Sequence, residues 1–173
     1  NKTVINFLDL KPNDNVLEIG FGGGYLIRRI AISHPEIHIT GIDRSSALVT
    51  IGKRHFSNLK RFGRVTLQHA VVEKIPFLGD RFNKVCSINS IFYWTDIEQG
   101  LQEIHRVLAN NGTLVLCFTE KSSIENKKFA GYIKLFETQE LVNYINSAGF
   151  SDTKVSETND RYRKYIVITA SKQ

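Results

Sequence analysis

With 173 residues, of which 42% are hydrophobic and 23% charged, the chain has the size and balance of one compact domain with a real core, and neither a repeat array nor a disulfide scaffold is expected. No run approaches the roughly 18 consecutive apolar residues that span a bilayer and no secretory signal pattern opens the chain, so a cytoplasmic location is expected. The formal net charge of +6 and a pI near 9.4 raise a nucleic-acid partner, which the placement of Lys and Arg has to decide.

Val4, Phe7 and Leu8 at helical spacing predict a short lead-in helix over residues 1–10, ended by Pro12-Asn13-Asp14. Because Asn1 lies so close to the first strand, a further segment upstream is expected. Val16 to Ile19 predict a buried strand that runs straight into Gly20-Phe21-Gly22-Gly23-Gly24, and Leu26, Ile27, Ile30 and Ala31 predict the helix that follows, to about Ser33. A Cβ at Gly20 or Gly22 would hold a ligand away from this loop, and its amides at the helix start are expected to face the ligand. A dinucleotide fingerprint would want glycine where Tyr25 stands, and a phosphate loop would want Lys followed by Ser or Thr, which is missing. Glu18 beside the loop repels a pyrophosphate and attracts a cation.

The next strand, 37–43, ends in Asp43, about twenty positions past the loop, where a carboxylate can accept from both hydroxyls of a ribose. A helix over 45–59 follows, with Ser45 or Ser46 as its cap, then a strand over 65–70, a loop over 71–77 and a turn at Gly79-Asp80. Strand 82–88 leads into the aromatic loop Asn89-Ser90-Ile91-Phe92-Tyr93-Trp94-Thr95-Asp96 and a helix over 97–108, which Asn110-Asn111-Gly112 is expected to cap. A strand over 113–119, an irregular polar stretch over 120–136 and a helix from Thr138 that Gly149 stops complete the alternation. Two β-prone runs, 153–158 and 162–171, are joined as a hairpin by Asn159-Asp160. The pattern predicts an α/β fold: a Rossmann-like, doubly wound, seven-stranded sheet, mostly parallel with an antiparallel last strand. Cys86 and Cys117 fall inside strands, as buried reduced thiols.

The residues around the glycine loop resemble the first motif of class I S-adenosylmethionine-dependent methyltransferases: Glu18-Ile19-Gly20-Phe21-Gly22-Gly23-Gly24 meets its acidic-x-Gly-x-Gly-x-Gly pattern. Gly41-Ile42-Asp43 looks like the second motif, Ile75-Pro76-Phe77 the third, Phe82-Asn83-Lys84-Val85 the fourth, and 103–114 the family's Glu-Ile-x-Arg-Val-Leu segment. The likeness runs from Val16 to about Ser171 and is nearest to the small-molecule "type 11" and ubiquinone-biosynthesis kind. It implies S-adenosylmethionine as cofactor, with Glu18 orienting its ammonium, Gly20 and Gly22 carrying the methionine portion, and Asp43 the ribose. It also implies that the backbone of Val72 bonds the adenine ring, that Arg44 lies over or beside it, and that Asn89 lines the methyl-donor pocket. Val71 stands where the family offers an Asp to the adenine amino group, so that contact is expected to be weakened or rerouted. Asn83 and Asn111, which replace a usual Asp and Gly, read as structural.

The expected function is methyl transfer to a small organic acceptor, with Tyr93 and Trp94 as a substrate wall. Alignment of donor and acceptor carries most of such a displacement, and none of the five histidines is assigned as a base. No cluster has metal-ligand spacing. The basic groups, Lys53-Arg54 with Lys60-Arg61-Arg64, Lys121 with Lys127-Lys128, and Arg161-Arg163-Lys164, are scattered, and none interleaves aromatics as a base-stacking platform would, which favours a small acceptor over nucleic acid. An RNA methyltransferase and a non-catalytic binding module on the same fold are the alternatives. The acceptor atom and the oligomeric state are left open.

Overall fold

The computed structural model describes residues 2–57, 63–128, 130–159 and 163–173. Asn1, the end of the expected helix at Leu59, the basic residues Lys60, Arg61 and Arg161, the turn residue Asp160 and the strand start at Tyr162 therefore lie outside the described residues. In chain order the elements are α1 (Lys2–Leu8), β1 (Asn15–Ile19), α2 (Tyr25–Ser33), β2 (His38–Asp43), α3 (Ser46–His55), β3 (Val65–His69), β4 (Phe82–Ile88), α4 (Ile97–Val107), β5 (Leu108–Thr119), α5 (Thr138–Ser147), β6 (Ser151–Asn159) and β7 (Lys164–Ser171). Single 3₁₀ turns occur at Ile91–Tyr93, Lys121–Ser123 and Ala130–Tyr132.

The strands form one seven-stranded sheet in the order β3-β2-β1-β4-β5-β7-β6. β1 to β5 pair in parallel, and β7 is antiparallel to both β5 and β6. Alternation along the strands sends side chains to two cores. Leu17, Ile19 and Leu114 join the layer under α4 and α5, while Val16, Cys86 and Val115 join the layer under α1, α2 and α3. The chain winds outward from β1 through β2 to β3 and then returns to lay β4 on the other side of β1. This reversal opens a crevice at the C-terminal ends of β1 and β4, the position at which sheets of this kind bind ligands.

Ser45 rather than Ser46 caps α3, its Oγ accepting from the Leu48 amide at 3.3 Å, and Asp96 caps α4 by accepting from the Gln99 amide at 3.0 Å. The tract Asn110-Asn111-Gly112 is not a helix cap. α4 closes at Leu108, already extended at φ −76 and ψ 132, and the tract is a bulge within β5. Lys172 holds it there: its carbonyl accepts from the Asn111 amide at 2.8 Å and its amide donates to the Gly112 carbonyl at 3.1 Å. Asn111, at φ +61, takes the left-handed conformation that Asn tolerates best after Gly. Asn83 is structural as well, its Oδ1 accepting from the Asn15 amide at 2.9 Å. The stretch after β5 is irregular but not wholly polar in its placement, since Ile124 and Phe136 are buried in the core.

One α4 pair fixes the loop after β3. Glu103 receives the Arg106 guanidinium at 2.6 and 2.8 Å and the Ile75 amide at 2.8 Å, while Arg106 also donates to the carbonyls of Ile75 and Phe77 at 2.9 and 2.8 Å. The bond to Arg106 holds the Glu103 carboxyl below its usual range, and the same bond raises Arg106. Arg106→Lys cannot reproduce the planar fork, and it is expected to lower stability by about 1–3 kcal/mol in urea titration. A variant as stable as the parent would show that the clamp contributes nothing.

Candidate functional site

The loop between β1 and α2 is tied to β2. The Gly20 and Phe21 amides donate to the Ile42 carbonyl at 2.8 and 3.4 Å, Gly24 donates to the Phe21 carbonyl at 2.8 Å, and the Gly22 amide donates to Asp43 Oδ2 at 2.9 Å. These amides are therefore committed inside the protein. For these four the expectation of donors facing the ligand is corrected: an anion cradle needs such donors free, and here they shape the loop instead.

The glycines have separate reasons. A Cβ on Gly20 would sit 2.3 Å from Ser90 Cβ, so this residue lets the loop pack on the segment after β4, and the expectation that it simply clears a ligand is revised. A Cβ on Gly24 would strike the Phe56 ring at 2.6 Å. Gly22, at φ +54, has nothing within 4 Å of its missing Cβ and lines the cavity. Gly23 is equally open, but of the two only Gly22 lines the cavity.

That cavity measures about 380 Å³ and occupies the crevice at the ends of β1, β2 and β4. Gly20, Gly22, Asp43, Arg44, Val72 and Asn89 all line it, as do Tyr93 and Trp94. Asp43 is 6% exposed, and besides the Gly22 amide it accepts the Ser45 amide on Oδ1 at 2.9 Å. Its remaining lone pairs can still serve a ligand. Arg44 crosses from the end of β2 to the aromatic loop, Nη1 donating to the Tyr93 carbonyl at 2.9 Å. Asn89, left-handed at φ +55, turns its Oδ1 away to the Thr119 amide and hydroxyl, at 2.8 and 3.2 Å. Trp94 is buried and Tyr93 exposed, and both stand on the same cavity as Asp43 and Val72 rather than on a separate wall.

Glu18 is not among the lining residues. It lies beneath the loop, 3% exposed, and its Oε2 has no hydrogen-bond partner among the described residues. Burial pushes its pKa up to about 8, against the Ile27 amide, which lowers it, and with a further raising contribution from Asp43. An unpartnered buried carboxyl is a cost that a nearby cation would relieve.

Two participants were not found from the sequence. Glu73 lines the cavity and uses Oε1 to hold the Thr95 and Asp96 amides at 2.6 and 3.2 Å, which fixes the aromatic loop against the loop after β3. Ser90 lines it beside Gly20 and accepts the Trp94 indole N–H at 3.1 Å. Neither lies in a pattern that sequence spacing marks, because both act across gaps set by the fold. Among the described residues no group of three or more His, Cys, Asp or Glu could hold a metal ion, and no helix is long and apolar enough to cross a membrane. His38, His55 and His69 are exposed, and Cys86 and Cys117 are free and buried.

A family model described as a methyltransferase domain matches residues 16–112. The uncharacterized methyltransferase YdaC of Bacillus subtilis is 27% identical over 99% of this chain and 91% of its own length. A ubiquinone/menaquinone biosynthesis C-methyltransferase, UbiE of Geotalea daltonii, is 36% identical over 61% of this chain and 45% of its own length. Among solved structures, geranyl diphosphate methyltransferase in complex with S-adenosylmethionine superposes with a TM-score of 0.82 at 14% identity, covering 99% of this chain and 77% of that one, a likeness of fold.

The buried Glu18 gives a pH dependence with a definite sign. A carboxyl whose folded-state pKa is raised adds stability that is complete below its ordinary value of 4.5 and is lost as the pH climbs through about 8. Unfolding free energy of the ligand-free protein is therefore expected to fall between pH 5 and 8, and Glu18→Gln is expected to flatten that fall in urea titrations across the range. Parallel profiles for the two proteins would remove Glu18 as the cause.

Proposed function

This chain belongs to the family of S-adenosylmethionine-dependent methyltransferases, and from that premise we propose that it methylates a small organic molecule at the crevice between β1 and β4. The cofactor supplies an electrophilic methyl group on a sulfonium, so the protein has to hold and align rather than carry out much chemistry of its own. The observation that carries the reading is the juxtaposition of Gly22, with open space where a side chain would be, Asp43 at the end of the next strand, and the unpartnered Glu18 below.

In this reading Gly20 and Gly22 carry the methionine portion, and Glu18 takes its ammonium through a bond or water, which the buried orphan oxygen suits. Asp43 accepts the ribose hydroxyls with the lone pairs left over from Gly22 and Ser45. Arg44, already bridging to Tyr93, covers the adenosine, and the Val72 backbone meets the purine. Asn89, with its side-chain oxygen committed to Thr119, has its NH₂ and its backbone carbonyl to offer the cavity. Tyr93 and Trp94 then belong to the cofactor's side of the site before any acceptor.

A small acceptor is favoured by how the positive charge is spread. Lys121 is paired with Glu137, Lys164 with Glu120 and Glu157, and Lys172 with Asp80, so these three cations are locally neutralised. Phosphate-tracking proteins instead keep such cations unpaired along a stripe. The named C-methyltransferase and geranyl diphosphate methyltransferase act on small molecules and so support the same class.

Gly22→Ala provides the test. Its Cβ meets no protein atom within 4 Å, so the cost to folding is confined to the left-handed φ, about 1 kcal/mol, while the methyl group projects towards the ligand. Titration calorimetry is expected to show S-adenosylmethionine affinity reduced at least tenfold with the fold retained. Unchanged affinity would remove the loop from the site. Tight, salt-sensitive binding of RNA would replace the small acceptor with a nucleic-acid one.

A further inference from the structure

Ser87 is 2% exposed, and its hydroxyl has one recorded partner, Ser90 Oγ at 2.6 Å. Ser90 Oγ is also the acceptor for the Trp94 indole N–H at 3.1 Å, and an indole nitrogen can only donate. If Ser90 gave its proton to Ser87, the Ser87 proton would be left in the interior with no acceptor among the described residues, at a cost in free energy that buried hydroxyls rarely bear. Donation therefore runs from Ser87 to Ser90. Ser90 Oγ then accepts twice, from Ser87 and from Trp94, and both of its lone pairs are used.

One proton remains, the hydroxyl hydrogen of Ser90, and both of its hydrogen-bonded neighbours, Ser87 and Trp94, are donors to it. Ser90 lines the cavity, and its Oγ stands 2.9 Å from the position a Cβ on Gly20 would occupy, against the glycine loop. Arg44 is the sole Lys or Arg lining the cavity among the described residues, and it is held by the Tyr93 carbonyl at the other end. Among the described residues, an anionic group lying on the loop meets neutral donors there rather than a cation.

We infer that Ser90 is a ligand-binding residue, its hydroxyl proton directed into the cavity beside Gly20 to donate to the carboxylate of the cofactor's amino-acid portion. The inference rests on the proposed seating of that portion on the glycine loop. Ammonium and carboxylate are then met by different elements: Glu18 from β1 below the loop and Ser90 from the segment after β4. Trp94 and Ser87 are positioning residues that act through Ser90, since they fix which way its proton points.

The test compares S-adenosylmethionine with decarboxylated S-adenosylmethionine, which keeps the sulfonium, ribose, adenine and ammonium but lacks the carboxylate. For Ser90→Ala, and for Ser90→Cys, which keeps the side chain's shape but donates weakly, calorimetry is expected to show at least a fivefold loss of affinity for the first ligand. Less than a twofold change is expected for the second. A structural role for Ser90 would weaken both alike, so equal losses overturn the inference, as does unchanged affinity for both. A parent protein that binds neither ligand would sink the proposed cofactor seat itself, an outcome separate from any effect at Ser90.

Discussion

The Asp43 carboxylate is the constraint on which the site depends. One oxygen takes the Gly22 amide from the loop after β1 and the other takes the Ser45 amide at the start of α3. A buried charge satisfied by two backbone donors is held far more firmly than a solvated one, and it holds those donors in turn. The loop's left-handed glycines, the entry to α3 and the floor of the cavity are thereby referred to a single residue at the end of β2.

The same device recurs around the cavity. Glu73 grips the amides that open α4, Asn89 grips the end of β5, and Glu103 with Arg106 grips the loop after β3. Loops at the end of a parallel sheet lack ladder partners, and their backbone polar groups have to be satisfied by side chains or water. Here side chains do so, and the crevice is walled by fixed backbone before any ligand arrives. Preorganisation of this kind removes an ordering cost from binding, which suits a reaction whose barrier is lowered chiefly by alignment.

Electrostatics follow from that arrangement. Loop amides committed to Ile42 and Asp43 cannot cradle phosphate, and the buried carboxyl beneath the loop carries an oxygen that a seated cation would satisfy. A cationic ligand of the methyl-donor kind fits the site better than a dinucleotide does, whatever the overall charge of +6.

The alternation of strand and helix, the glycine loop, the acid at the end of the second strand and the antiparallel close were all legible in the sequence, because each is written in residues near one another. Period-2 and period-3.6 burial, positive φ at Gly22 and a Ser cap at Ser45 or Ser46 are local properties of the chain. Tertiary structure alone decided the rest. Asn110-Asn111-Gly112 has the local chemistry of a helix stop, and only pairing with Lys172 and the register against Phe82 makes it a strand bulge. Glu73 and Ser90 carry no spacing signal, since the amides of Thr95 and Asp96 and the reach of Gly20 meet them across the sheet's open end. A sequence states which groups can donate and accept. Which of them are already satisfied, and which are left facing a ligand, is settled when distant segments come together.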